Sequence, residues 1–270
     1  MTHSVKAVVL DWAGTMIDHG SRAPVLALQM AFAEAGLSIT EAEARADMGR
    51  AKRDHIRALL AMPRIAAGWQ DLHGQAPTEA DVSALHDAVE PMMRVTASDC
   101  AALIPGAAAL AAQLRDVGIR IGSCTGYTRP MMADILPLAA EQGYAPEVVI
   151  CSGETPAGRP SPLMLWKALV ELGTWPAWAC IKVDDAPVGI GEGRAAGAWT
   201  VGVAASGNSV GLDYEALHAL SPEDRAAAIA RSATVLDQAG ADYVIDSVAD
   251  LWPVIDTIAR RIDNGERPRP

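Results

Sequence analysis

The apolar positions of this chain fall into two kinds of run. Short, nearly unbroken runs occur at Val8-Val9-Leu10, Ile119 to Gly126, Val148-Val149-Ile150, Trp178 to Val183, Trp199 to Val203 and Tyr243 to Ile245. Runs so short and so rich in aliphatic and β-branched residues predict strands buried on both faces. Between them lie longer stretches with apolar residues every three or four positions, which predicts helices. Pro24 opens one that carries Val25, Leu28, Phe32 and Leu37 and stops near Gly36. Others span about Pro105-Gly106 to Gly118, Pro130 to Gln142, Ile190 to Ala196 and Leu251 to Ile262. Arg159-Pro160-Ser161-Pro162 opens one holding Leu165, Leu169 and Leu172. Strands alternating with helices predict βαβ units and a parallel sheet, an α/β fold with a Rossmann-like core.

One stretch breaks the alternation. Glu41 to Met48, Arg53 to Met62, Ile65 to His73 and Asp81 to Val95 all read as helical, with turn signals at Gly49, Pro63, Gly74 and Pro77, and no strand is evident before residue 100. The pattern predicts a helical cap domain, residues 21–99, inserted after the first strand of a core built from 1–20 and 100–270. Ala107 to Ala112 and Ala226 to Ala230 read as closely packed helix faces, and the polar stretch 264–270 as a frayed tail.

Composition narrows the function. Half of the 270 residues are apolar, enough for a sizeable core, and the net charge of −11 argues against a nucleic-acid partner. No apolar run reaches the length of a membrane span, and Met1-Thr2-His3-Ser4 carries no basic leader, so the expectation is a cytoplasmic protein with no membrane partner. Cys100, Cys124, Cys151 and Cys180 lack metal-site or disulfide spacing and read as small buried hydrophobes.

The chemistry gathers at strand ends. Asp11 follows Val8-Val9-Leu10 and precedes a tight Gly14-Thr15 turn, which sets a carboxylate at the carboxyl end of a buried strand beside free backbone N–H groups. That combination suits a transferring phosphoryl group. Asp184-Asp185 ends another strand, and carboxylates from two strand ends suit a hard Mg²⁺ ion. Thr125-Gly126 ends a third, and Arg159 lies in a loop before a helix. Singly, these read as well as a turn cap, a helix-capping pair, a common turn and a solvated charge. Their chain order and shared placement favour chemistry.

The D-W-A-G-T of Asp11 to Thr15, with Thr125, Arg159 and Asp184-Asp185 following in order, resembles the haloacid dehalogenase superfamily, and within it the phosphonatases. The resemblance implies that Asp11 forms an aspartyl-phosphate. The Asp11 side chain, the Ala13 carbonyl and Asp185 would hold Mg²⁺, with Asp184 and Thr15 in support. Thr125, Gly126 and Arg159 would bind the phosphoryl group. Met48-Gly49-Arg50-Ala51-Lys52-Arg53-Asp54-His55 resembles the phosphonatase cap loop, in which Lys52 would form a Schiff base, His55 would carry protons, and Met48 and Gly49, with Trp12 and Tyr127, would flank the substrate. Burial and the nearby Arg50 and Arg53 are expected to hold Lys52 neutral.

The implied reaction is hydrolysis of the carbon–phosphorus bond of phosphonoacetaldehyde, a small-molecule phosphonate. Ala13 fits it: phosphatases of the superfamily carry an acid there to protonate an oxygen leaving group, which a carbon departing into an iminium does not need. A phosphatase for a small phosphate ester and a catalytically idle binding protein are the alternatives. One departure stands out. Members often carry another acid about four residues beyond Asp185, whereas Pro187, Val188 and Gly189 offer none, which makes Asp184 the candidate substitute. The family's habit and the apolar cap residues Trp69, Met92 and Met93 suggest a homodimer through the cap helices.

Overall fold

The computed structural model describes residues 4–269, so the reading of Met1 to His3 lies outside the described residues. Six strands form the sheet: β1 (Ala7–Leu10), β2 (Arg120–Thr125), β3 (Val148–Cys151), β4 (Cys180–Asp184), β5 (Trp199–Val203) and β6 (Tyr243–Ile245). All pairings are parallel, in the order β3-β2-β1-β4-β5-β6. The chain first grows the sheet to one side of β1 and then returns to build the other, so the switch in direction lies beside β1, where such sheets open a crevice at their carboxyl ends.

Between β1 and β2 come α1 (Ala23–Glu34), α2 (Glu41–Arg45), α3 (Lys52–Leu60), α4 (Pro63–His73), α5 (Glu79–Asp99) and α6 (Ala107–Asp116). The first five make the helical cap after the first strand. The remaining helices are α7 (Arg129–Met132), α8 (Ile135–Glu141), α9 (Leu163–Glu171), α10 (Pro187–Ala196), α11 (Tyr214–Ala219), α12 (Pro222–Gln238) and α13 (Leu251–Asp263). Alternation along β1 explains the layers: Val8 and Leu10 face one apolar cluster with α6 and α13, while Ala7 and Val9 face another with Met164, Leu165 and Ala168 of α9. The first cluster continues into the cap through Leu28, Phe32, Ile56, Leu59 and Met93. No helix among the described residues is long and apolar enough to cross a membrane.

Four expectations are corrected. The helix predicted from Pro130 to Gln142 is two helices, because Pro137 has no N–H to donate to the carbonyl of Ala133 and a continuous ladder fails there. The tail does not fray over 264–269: the Arg267 guanidinium stacks 3.7 Å from the centre of the Trp178 ring, and the Arg269 N–H donates to Asp242 Oδ1 at 3.2 Å. Cys100 is only half-buried, at the end of α5, unlike the other three cysteines. Trp69 and Met93 point into the protomer and are buried there, Trp69 edge-on to Phe32, so neither is available to a dimer surface.

Candidate active site

β1 delivers Asp11 to the centre of the sheet's carboxyl edge. Leu10 pairs with Ser123 on one side and Val183 on the other, and the Asp11 N–H donates to the Val183 carbonyl at 3.0 Å. The chain then turns sharply, with the Trp12 carbonyl accepting N–H bonds from Thr15, Met16 and Ile17. Gly14 is needed twice over: its φ of 83° is left-handed, and a Cβ there would overlap the Asp185 carboxylate.

Beneath Asp11 lies a buried network of charges. Arg159 Nη2 donates to Asp11 Oδ1 at 2.7 Å and to the Cys124 carbonyl, Nη1 lies 3.4 Å from Asp184 Oδ2, and Nε donates to Glu192 Oε2 at 3.2 Å. Lys182 Nζ lies 3.0 Å from Asp184 Oδ2 and 3.2 Å from Glu192 Oε2. Burial opposes the positive charge on Arg159, but the three carboxylates outweigh it and hold the guanidinium firmly protonated. For Asp11 burial wins over Arg159, and its carboxyl is pushed up to about 6.

Asp185 stands outside this network. Its Oδ2 accepts the Asn208 N–H at 2.7 Å, while burial and the neighbouring Asp11 and Asp184 hold its carboxyl far above the usual carboxylate range. Asp11, Asp184 and Asp185 offer oxygens within 4.8 Å of one another. A hard cation fits such a set, because it takes oxygen ligands and supplies the positive charge that Asp185 lacks. Asp184 is already engaged, accepting the Ala186 N–H at 3.1 Å on Oδ1 and facing Lys182 and Arg159 with Oδ2. Asp11 and Asp185 are engaged by one neighbour each through a single oxygen, Arg159 on Asp11 Oδ1 and the Asn208 N–H on Asp185 Oδ2, so each could offer its other oxygen to an ion.

The cap closes over this edge through the loop before α3. Gly49 adopts φ 90°, and a Cβ there would press on Val188 and Ala186; a Cβ on Gly126 would lie 3.0 Å from the Arg50 carbonyl oxygen. Cap loop and core loop therefore meet backbone to backbone. They border a cavity of about 30 Å³. Asp11, Ala13, Thr125, Gly126, Tyr127, Arg159 and Asp185 line it from the core, and Met48, Gly49, Arg50 and Lys52 from the cap. Thr125 Oγ1 accepts the Tyr127 N–H at 3.1 Å, which leaves its own O–H to donate inward.

Lys52, the first residue of α3, is 3% exposed, and burial lowers its pKa to about 8. The expected help from arginine is absent: Arg50 pairs with Asp47 at 3.0 Å, and Arg53 with Glu79 and Ser83. His55 is fully buried one turn further on, and burial first, then Lys52, pushes its pKa down to about 3. It does not line the cavity. Neither does Trp12, which packs against Tyr144 with ring centres 5.1 Å apart, nor do Thr15 and Asp184, which lie behind the wall. Ser21, Pro24 and Ala186 do line it, although the sequence reading passed over them.

Fold and site define a class. Residues 5–197 match the family model of haloacid dehalogenase-like hydrolases, and the chain belongs to that family. Its relatives are narrower in kind. The phosphonoacetaldehyde hydrolase of Paraburkholderia phytofirmans is 51% identical over 98% of this chain and 99% of its own. That of Nitratidesulfovibrio vulgaris is 44% identical over 98% of this chain and 95% of its own. A crystal structure of a phosphonoacetaldehyde hydrolase-like protein from Oleispira antarctica superposes with a TM-score of 0.97 at 44% identity, covering 99% of this chain and 98% of that one.

Proposed function

We propose that the chain is an enzyme that hydrolyses phosphonoacetaldehyde to acetaldehyde and phosphate. The observation that carries this reading is a buried lysine amine facing the same small cavity as Asp11 and Arg159, with a methyl group at position 13 where a general acid would serve a phosphate ester. The identities to phosphonoacetaldehyde hydrolases over nearly the whole chain support it.

Displacing carbon from phosphorus would expel a carbanion, so an electron sink must come first. The neutral Lys52 amine adds to the aldehyde carbon, and loss of water leaves an iminium. An Asp11 oxygen then attacks phosphorus in line with the C–P bond, whose electrons pass into the iminium to give an enamine. The products are an aspartyl-phosphate and a Lys52 enamine. Water hydrolyses the first to phosphate, and protonation at carbon followed by hydrolysis of the second releases acetaldehyde and the free amine. Arg159 and the Thr125 hydroxyl hold the phosphoryl oxygens throughout. Asp11, the Ala13 carbonyl and Asp185 would hold Mg²⁺, which would supply positive charge to offset the negative charges of the site. His55 would reach the substrate's protons only by way of Lys52, since it does not line the cavity and burial holds it neutral.

The same reading has residues 21–99 move as the cap, the enzyme act in the cytoplasm, and two copies pair through exposed Leu26 and Met30 of α1 and Val95 of α5. The test is incubation with phosphonoacetaldehyde, with and without Mg²⁺, following acetaldehyde and phosphate together, beside small phosphate esters. Equimolar, Mg²⁺-dependent release of both products is expected. Phosphate release from the esters alone would favour an ordinary phosphatase.

A further inference from the structure

Arg45, the last residue of α2, sends its guanidinium out of the cap and into the core. Glu41, one turn earlier on the same helix, aims it, with Oε1 accepting from Nε at 2.9 Å and from Nη2 at 2.7 Å. Its other acceptors lie outside the cap helices. Nη1 donates to the Gly20 carbonyl at 2.8 Å, where the chain leaves the core, and to Asn208 Oδ1 at 3.1 Å, while Nη2 donates to the Gly211 carbonyl at 2.8 Å. Asn208 returns the contact, its Nδ2 donating to the Arg45 carbonyl at 3.2 Å. The loop after β5 that carries Asn208 fits closely at both ends: a Cβ on Gly211 would overlap the Arg45 guanidinium, and a Cβ on Gly207 would overlap Asp185. Between them the Asn208 N–H donates to Asp185 Oδ2 at 2.7 Å. One residue thus joins a cap arginine to a carboxylate of the acidic cluster, the first through its side chain and the second through its backbone.

We propose that Arg45 is a positioning residue that ties the cap to the Asp185 carboxylate through Asn208. A guanidinium offers several N–H donors in a rigid fork, and here that fork is what the Gly20 and Gly211 carbonyls and the Asn208 amide share. Moving the cap away withdraws all of these bonds at once. The loop is then released, and the Asn208 N–H no longer fixes Asp185 Oδ2. An ion at Asp185 therefore meets an oriented carboxylate only while the cap is seated, and by linkage the ion favours the seated cap by the same factor. The metal half of this proposal rests on the functional reading above; the tie between cap and loop does not.

The test compares the parent with Arg45→Met, Arg45→Lys, Asn208→Ala, the double variant of Arg45→Met with Asn208→Ala, and the control Arg64→Met, whose guanidinium stays within the cap on Glu43 and Ser38. The measurements, made well below every thermal midpoint, are amide hydrogen exchange over 204–212 and 17–22, Mg²⁺ affinity by calorimetry, and kcat and KM as functions of Mg²⁺. Arg45→Met should speed exchange over 204–212 and weaken Mg²⁺ binding about 5- to 50-fold. Its activity should fall at limiting Mg²⁺ and largely recover at saturating Mg²⁺, a recovery that a purely structural tie would not show. Asn208→Ala keeps the N–H but cuts the tie, so it should match Arg45→Met, and the double variant should be little worse than either. Arg45→Lys keeps the charge without the fork and should fall between. Mg²⁺ should slow exchange over 17–22 in the parent and not in Arg45→Met. Should Arg45→Met fail to fold, Arg45→Lys and Asn208→Ala carry the same comparison. Parent-like Mg²⁺ affinity in the folded variants overturns the proposal, as does an equal loss in Arg64→Met. If the parent neither bound Mg²⁺ nor turned over phosphonoacetaldehyde, the functional reading would fail; faster exchange over 204–212 in Arg45→Met would still uphold the tie, and unchanged exchange would overturn it.

Discussion

Lys52 Nζ lies 5.9 Å from the centre of the Tyr127 ring and, among the described residues, has no carboxylate within ion-pairing distance. The ring face favours an ammonium only weakly, so burial decides and the pKa falls to about 8. The stability consequence has a definite sign. Below pH 8 the lysine is protonated both folded and unfolded, and the buried ammonium weakens the fold in full. Between about 8 and the ordinary 10.5 the unfolded chain keeps a proton that the folded chain has released, so stability rises with pH. Lys52→Met should therefore stabilise the protein by roughly 3 kcal/mol at pH 7, with the gain fading as pH rises toward 10.5. Urea melts across that range check it, and a Met variant less stable than the parent at pH 7 would contradict it.

Asp11→Asn should abolish phosphate release without unfolding the protein. The amide nearly matches the carboxylate in shape and its oxygen still accepts from Arg159, but it is no nucleophile. Because burial already holds the Asp11 carboxyl up to about 6, the variant should melt no lower than the parent at pH 7. Appreciable turnover would remove Asp11 from the nucleophile's role.

Asp185→Asn should separate stability from function. Asp185 is buried beside Asp11 and Asp184, so without a cation its carboxyl must either repel them or take up a proton on folding; an amide does neither, and its oxygen can still accept the Asn208 N–H. In Mg²⁺-free buffer the variant should melt above the parent, while the rise in midpoint on adding Mg²⁺ should shrink or vanish. Parent-like activity at limiting Mg²⁺ would move the metal site elsewhere.

Ala13→Asp places a carboxyl group on the cavity wall where the departing carbon has no use for it. Cleavage of phosphonoacetaldehyde should not accelerate, and slow hydrolysis of a phosphate ester should emerge. Steady-state rates on both substrates measure this; a faster phosphonatase would mean that the methyl group is there for another reason.

The strand-end residues Asp11, Thr125 and Asp185 were legible because strand-end position follows from short apolar runs, and chain order did the rest. Arg159 was legible as a charge brought to the strand ends, but the three carboxylates it bridges were not. Lys182 did carry a signal: a lysine inside an otherwise apolar strand must find buried acids, and Glu192, one helix on, was there to be paired with it. The burial of Lys52 was expected from the chemistry the resemblance implies and not from periodicity, and the depth of His55 was hidden, since helical periodicity cannot say which face of α3 the core loops will cover. Helix α11 was missed, and α12 was read only through Ala226 to Ala230, whose face is largely exposed and not closely packed, although Ser221-Pro222-Glu223-Asp224 offered an N-cap, a first-turn proline and two first-turn acids in sequence. Trp69 and Met93 misled as dimer residues because apolar content does not distinguish a protomer's core from its interface.

The central claim is that Lys52 bonds covalently to the substrate's aldehyde carbon, and reductive trapping tests it most directly. Borohydride added during turnover of phosphonoacetaldehyde should reduce the iminium, inactivate the enzyme, and leave a substrate-derived group that peptide mapping finds on Lys52. Lys52→Arg should show no trapping and lose activity by many orders of magnitude, since it keeps the charge but has no amine to condense, and each tenfold corresponds to about 1.4 kcal/mol of barrier. A label on Lys6, Lys167 or Lys182 instead, or an arginine variant that retains substantial turnover, would contradict the account.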